Sequence, residues 1–140
     1  MEEKIDILMA TYNGEKYLKE QIESILNQTY KNIRLIISDD SSRDSTREIL
    51  KQYEKDNRVE VHLQEVNQGY VKNFEYLLKQ VKSDIYMLSD QDDVWLPEKV
   101  EKTYKKMKEE DSILVFGDLE VVNENLETIH QSFRRVYGIK

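Results

Sequence analysis

The 140-residue sequence has no cysteine, one proline, four glycines and two histidines. Without cysteine there is no disulfide framework and no thiolate metal site, and a reducing compartment is permitted. With only His62 and His130 available, a histidine-ligated metal centre is disfavoured. Any metal would be held by oxygen atoms, which suits Mg²⁺, Mn²⁺ or Ca²⁺. No stretch approaches the roughly 18 apolar residues of a membrane span. The start, "MEEKIDILMATYNG", has too short an apolar core and the wrong flanking charge for a signal peptide, so a cytoplasmic location is expected. Positive charge is also scarce: 21 Lys and Arg against 28 Asp and Glu give a net charge of −7. That balance argues against a nucleic-acid or anionic-membrane surface, because counterion release needs clustered cations. A phosphate-bearing small ligand stays compatible if a metal or backbone N–H groups supply the positive charge.

What is present is the make-up of a rather polar globular chain, 39% hydrophobic and 35% charged, long enough to bury a core as a single domain over residues 1–140. Short apolar runs bounded by polar residues predict strands at Ile5–Thr11, Ile33–Ser38, Val59–Leu63, Asp84–Ser89 and Ile113–Gly117. Several are apolar throughout, as expected of strands buried on both faces. Between them the period becomes helical. Leu18, Ile22, Ile25 and Leu26 share a face, as do Phe74, Leu77, Leu78 and Val81, and Val100, Tyr104 and Met107. Ser45 is expected to cap a helix with Glu48 as its capping-box partner, and Pro97 marks the start of the next. "LEVV" and "ETIHQSF" around "NENL" read as a hairpin. Repeated strand–helix–strand units imply a three-layer α/β/α fold with a mostly parallel sheet. No repeat, low-complexity tract or domain boundary interrupts it.

In such sheets ligands bind at the carboxyl ends of the strands, where strand order reverses. The polar residues there are Thr11, Tyr12, Asn13 and Gly14; Asp39, Asp40, Ser41 and Ser42; Asn67, Gln68 and Gly69; and Asp90, Gln91, Asp92 and Asp93. Two of these sets are acidic, and their repulsion is costly unless a positive group offsets it. Asp90 and Asp92 can point at one hard cation, while Asp93 faces elsewhere or caps a helix. The plainer reading of Asp92 and Asp93 is an acidic helix cap, and that of Asp39 and Asp40 is turn formation. Lys72 and Asn73 open a helix where a phosphate could be held, although a lysine there is more often solvated. His62 is expected to be structural and His130 to lie on the surface.

Taken in order, "ILMATYNGEKYLKEQIESILNQTY", "LIISDDSSRDST", "NQGYVKNFEYLL", "YMLSDQDDVWLPEKV" and "FGDLEVVNENLETIHQSF" resemble the inverting family 2 glycosyltransferases of GT-A, Rossmann-like fold. The variant Asp-Gln-Asp-Asp-Val-Trp is similar to that of a rhamnosyltransferase-like branch. Ser41 departs from the glycine usual in the second motif. The resemblance implies that Thr11, Tyr12 and Asn13 line a nucleotide pocket, that Asp40 holds the base, and that Lys72 lies near the base or the diphosphate. It implies that Asp92, with Asp90, binds the sugar diphosphate through Mn²⁺ or Mg²⁺. The partners implied are a nucleotide-diphospho-sugar donor and a glycan or lipid-linked acceptor of cell-surface polysaccharide. Peripheral association with the inner face of a membrane would come through parts outside this chain. The catalytic base of the family comes from an acceptor half whose motif is not found here, so the chain is expected to be the N-terminal part of a longer glycosyltransferase. Two rivals stand beside this reading: a Mg²⁺-binding phosphoryl-accepting receiver domain, with Asp40 and Asp90 as its acidic residues, and a non-catalytic nucleotide-sugar binding module.

Overall fold

The computed structural model describes residues 2–136 and 138. Four strands, β1 (Ile5–Thr11), β2 (Ile33–Asp39), β3 (Val59–Leu63) and β4 (Ile85–Ser89), form a sheet in the order β3-β2-β1-β4, and every pairing is parallel. Helices α1 (Leu18–Leu26), α2 (Thr46–Tyr53) and α3 (Tyr70–Leu78) connect them. β1 is buried along its whole length and β2 nearly so, because both are central strands covered on two faces. β3 and β4 are edge strands and only partly buried. In β4 burial alternates, leaving Tyr86 and Leu88 exposed, so the expectation of strands buried on both faces holds only for the central pair.

The connections explain the layers. β1, β2 and β3 step across the sheet in one direction, and the step from β3 to β4 reverses it. Since parallel crossovers are right-handed, α1 and α2 cover one face and α3 the other. Accordingly, Leu77 of α3 is buried with Leu8, Ala10 and Ile36, flanked by Phe74 and Val81. The apolar face read for α1 is also buried at Leu18, Ile22 and Ile25.

Two expectations change. Ser45 makes no side-chain cap on α2; Asp44 takes the role, its Oδ1 accepting the Thr46 N–H at 2.9 Å. Ile113–Gly117 is not a strand among the described residues, and Ile113, Leu114 and Phe116 are exposed. An extended segment counts as a strand only when a neighbour takes up its backbone N–H and C=O groups, and none pairs with this one.

The chain divides into two compact units, Met1–Val100 and Glu101–Lys140. The first holds the parallel sheet. Helix α4 (Lys99–Glu109) begins at its end, two residues after Pro97. The second contains the expected hairpin, β5 (Val121–Val122) and β6 (Thr128–His130), paired antiparallel, followed by the short α5 (Phe133–Val136). Its turn is closed by Asn123, whose Oδ1 accepts the N–H groups of Asn125 and Glu127. Among the described residues no helix is long and apolar enough to cross a membrane.

Candidate functional site

The reversal of strand order falls between β1 and β4, and the crevice beyond their carboxyl ends is where a doubly wound sheet takes its ligand. A pocket of about 520 Å³ lies there. It draws Thr11 from the end of β1 and Tyr12 from the loop beyond it, Asp40 from the loop after β2, Asn67 and Gly69 from the loop after β3, and Asp90, Gln91 and Asp92 from the loop after β4, with Tyr70 and Asn73 of α3. The four loops named from sequence therefore do converge. A second depression, of about 460 Å³, sits at the opposite strand ends among Glu3, Arg34 and Asp84. There Arg34 is already bonded to Asp6, Glu60 and the Gln80 carbonyl, so its charge is spent within the fold.

The acidic pair after β2 splits into two roles. Asp39 is fully buried and accepts from the Thr11 hydroxyl at 3.0 Å, the Ser42 N–H at 3.0 Å and the Arg47 guanidinium at 2.8 Å. It joins the β1 and β2 loops and is not among the residues lining the pocket. Asp40, also buried, accepts the N–H groups of Gln68 at 2.7 Å and Gly69 at 2.8 Å, while Asn67 donates to its carbonyl at 3.0 Å. It shapes the loop ahead of α3 and still lines the pocket. Gly69 has φ 92°, a left-handed conformation costly for a side chain, and this is what lets the loop turn its N–H onto Asp40.

Asn13 and Lys72 are placed differently from the other candidates: neither is among the residues lining the pocket. Asn13 is exposed at φ 46°, with its N–H on the Ser42 hydroxyl and its Oδ1 accepting the Arg43 N–H, both at 2.9 Å. It stitches the β1 and β2 loops together. Lys72 is exposed in the first turn of α3.

The three aspartates after β4 also separate. Asp90 accepts from the Tyr70 hydroxyl at 3.2 Å, and burial, reinforced by the charges of Asp90 and Asp92, pushes the Tyr70 phenol up. Asp93 does not cap a helix, since α4 starts only at Lys99. It is partly buried, and that burial, with Asp90 and Asp92 beside it, pushes its carboxyl up against the opposing pull of Lys99. Lys99 lies over the buried Trp95 ring, 4.6 Å from its centroid, and the backbone N–H of Trp95 donates to the Ser24 hydroxyl at 3.0 Å.

Among the described residues no three Asp, Glu, His or Cys side chains gather into a ready-made cation cage. Of the pocket's carboxylates, Asp90 and Asp92 instead suit a divalent ion that takes its remaining ligands from phosphate oxygens and water, the usual habit of Mg²⁺ with nucleotides.

Sequence reasoning did not single out Tyr70, and it named Gln91 only among the polar residues that follow β4 and Asn73 only beside Lys72 at a helix start. The Asn73 side chain donates to the Ser38 carbonyl at 2.8 Å and lines the pocket. Tyr70 and Asn73 lie one turn apart at the start of a helix on the carboxyl edge, a placement visible only once α3 is docked. His62 is structural as expected, bonded to Glu60 at 2.7 Å and to the Tyr76 hydroxyl at 2.8 Å, and His130 is exposed.

Among solved structures, this fold is similar to S. aureus TarS 1-349 in complex with UDP, with a TM-score of 0.72 and 28% identity over 78% of this chain and 33% of that one. It also resembles the mannosyltransferase PcManGT from Pyrobaculum calidifontis, at TM-score 0.69 and 16% identity, over 76% of this chain and 33% of the other. The latter likeness is one of fold. Among curated proteins, the glycosyltransferase GlyG of Streptococcus pneumoniae is 35% identical over 84% of this chain and 40% of its own length. The E. coli β-1,3-glucosyltransferase WfgD is 30% identical over 86% of this chain and 47% of its own. The chain thus spans less than half the length of these relatives. The family model "Glycosyl transferase family 2" matches residues 6–139. With nearly the whole chain covered, and the pocket at the switch point of the sheet, this chain belongs to glycosyl transferase family 2.

Proposed function

We propose that the chain is the donor half of an inverting glycosyltransferase, binding a nucleotide-diphospho-sugar in the pocket between the ends of β1 and β4. The observation that carries this is the convergence of Thr11, Tyr12, Asp40, Asp90 and Asp92 on that one pocket. Structures of TarS with UDP and with UDP-GlcNAc support a nucleotide-sugar ligand, and the PcManGT complex pairs GDP-Man with Mn²⁺ on the same fold. The receiver-domain rival loses its ground to the family membership.

In this reading Thr11 and Tyr12 border the nucleoside. Tyr12, 46% exposed, offers a ring face for the base. Asp40 acts on the base edge, directly or through the loop it holds. Asn13 serves through the turn it builds. Lys72 reaches the nucleotide from the helix whose Tyr70 and Asn73 line the pocket. Asp92 and Asp90 hold Mn²⁺ or Mg²⁺, which would neutralise charge on the departing diphosphate. The acceptor site and the base that deprotonates the acceptor hydroxyl belong to the remainder of a longer protein. Rhamnose as the transferred sugar, a cell-surface glycan as the acceptor and action at the inner membrane face are the finer parts of the proposal and rest on the sequence resemblance.

Calorimetric titration of UDP-, dTDP- and GDP-sugars with and without Mn²⁺ tests the core. One donor should bind in a metal-dependent way, with Asp92→Ala weakening it about tenfold or more. Binding that ignores both metal and Asp92 overturns the assignment. The isolated chain should bind donor but turn over poorly, and sustained turnover onto a defined acceptor would sink that part.

A further inference from the structure

Between Asp90 and Asp92, Gln91 does something that neither aspartate could. Its Oε1 accepts the Tyr12 N–H at 2.9 Å and its Nε2 donates to the Tyr12 carbonyl at 3.0 Å. The β1–β4 ladder ends at the pairing of Met9 with Ser89. Beyond it, the Gln91 amide supplies to Tyr12 the donor and acceptor that a further residue of β4 would have given. The seat for this amide is Gly14: a Cβ there would fall 2.2 Å from Gln91 Oε1 and 2.6 Å from its Cδ, far inside contact distance. Gly14 is itself held by its N–H on the Thr46 hydroxyl at 2.9 Å and by its carbonyl, which accepts from Leu18 at the start of α1.

We propose that Gln91 is a positioning residue that clamps the carboxylate loop to β1, so that Asp90 and Asp92 are held toward the donor and its metal while their mutual repulsion is contained; this rests on the donor-site reading above. Only an amide fits. An ionised glutamate accepts but cannot donate, so it would set an oxygen against the Tyr12 carbonyl and add a further negative charge to the loop. The clamp also ties Tyr12 to the same two hydrogen bonds, which links the residue bordering the base to the residues holding the metal.

The test uses the whole chain with Gln91→Glu, Gln91→Ala, Gly14→Ala and the double variant Gly14→Ala/Gln91→Ala. Two readouts are taken: NMR hydrogen exchange of the Tyr12 amide, and Mn²⁺-dependent affinity for whichever of UDP, dTDP or GDP the unsubstituted chain binds. Loss of Gln91 should expose the Tyr12 N–H to exchange and reduce the Mn²⁺-dependent affinity about tenfold to a hundredfold, the usual effect of losing a group that orients metal ligands. The added Cβ of Gly14→Ala displaces the far end of a flexible side chain, so it should mimic Gln91→Ala. The double variant should then be no worse than either single one. Unchanged Mn²⁺-dependent affinity in both Gln91 variants, or additive losses in the double variant, overturns the proposal alone. Absence of any Mn²⁺-dependent nucleotide binding by the unsubstituted chain overturns the donor-site reading and this proposal with it.

Discussion

Asp6 stands on the second residue of β1 with none of its surface exposed. Arg34 meets its carboxylate in a two-pronged bond at 2.7 and 3.0 Å, and the Lys82 N–H, Ser83 N–H and Ser83 hydroxyl complete its shell at 2.9, 3.1 and 2.9 Å. Burial alone would raise this carboxyl. Arg34 and the bonds from Lys82 and Ser83 outweigh it and bring the pKa from 3.8 to about 2. A carboxyl depressed on folding contributes stability above its unfolded pKa and loses it as pH falls toward the folded one. The contribution, roughly 2 kcal/mol, should therefore be complete at neutral pH and vanish between about pH 4 and pH 2. Urea unfolding across that range should show the loss, and Asp6→Asn should remove this acid-dependent step while lowering stability at neutral pH. Ser41 shows the opposite kind of residue-level information. Its φ of 63° is left-handed, which gives a physical reason for the glycine usual at this place in the motif it resembles.

At the scale of elements, one buried side chain ties the end of α1 to the start of α4. Gln28 is fully buried just past the end of α1. Its Nε2 donates to the Ser24 carbonyl at 3.0 Å and the Leu96 carbonyl at 2.8 Å, and its Oε1 accepts the Val100 N–H at 3.0 Å. Gln28→Ala strands the Val100 N–H and the Ser24 carbonyl, while the Leu96 carbonyl keeps the Lys99 N–H; each stranded group costs about 1–3 kcal/mol. The expected outcome is a loss of about 2–4 kcal/mol in denaturant unfolding, with faster amide exchange at Val100. The strands and helix faces of the parallel sheet were legible beforehand because burial imposes a period of 2 or 3.6 on the apolar residues. Ile113–Gly117 was misread because an apolar β-branched run states a preference only, and a strand exists when a partner takes its hydrogen bonds. The cap of α2 moved by one residue for a related reason: the Ser45 N–H is engaged by the Glu15 carboxylate at 2.9 Å, a contact from the neighbouring loop that no local motif contains.

For the whole molecule, the balance lies between a satisfied sheet centre and surfaces left open. The edge strand β4 carries exposed Tyr86 and Leu88, and the segment after α4 carries Ile113, wholly exposed, with Leu114 and Phe116 at 75% and 69%. Exposed apolar runs and unpaired edges favour association. Sedimentation of the 140-residue chain should show a mass that rises with concentration, and replacing Ile113, Leu114 and Phe116 by Ser should suppress the rise without altering the unfolding midpoint. A mass independent of concentration would show that the net charge of −7 suffices to keep the chains apart.

Composition and pattern by themselves determined the α/β class, the four parallel strands and the set of loops that line the pocket. These follow from rules that act residue by residue: burial periodicity, and the placement of polar loops at strand ends. Tertiary structure alone decided how like residues divide their work. Asp39 and Asp40 are adjacent and chemically identical, yet Asp39 is consumed by Thr11, Ser42 and Arg47 while Asp40 holds a loop and borders the pocket. Gln91 became a clamp because Tyr12 and Gly14, distant in sequence, lie beside it. A side chain's role is set by which hydrogen-bond partners reach it, and partners more than seventy residues away come within reach only when the sheet has closed.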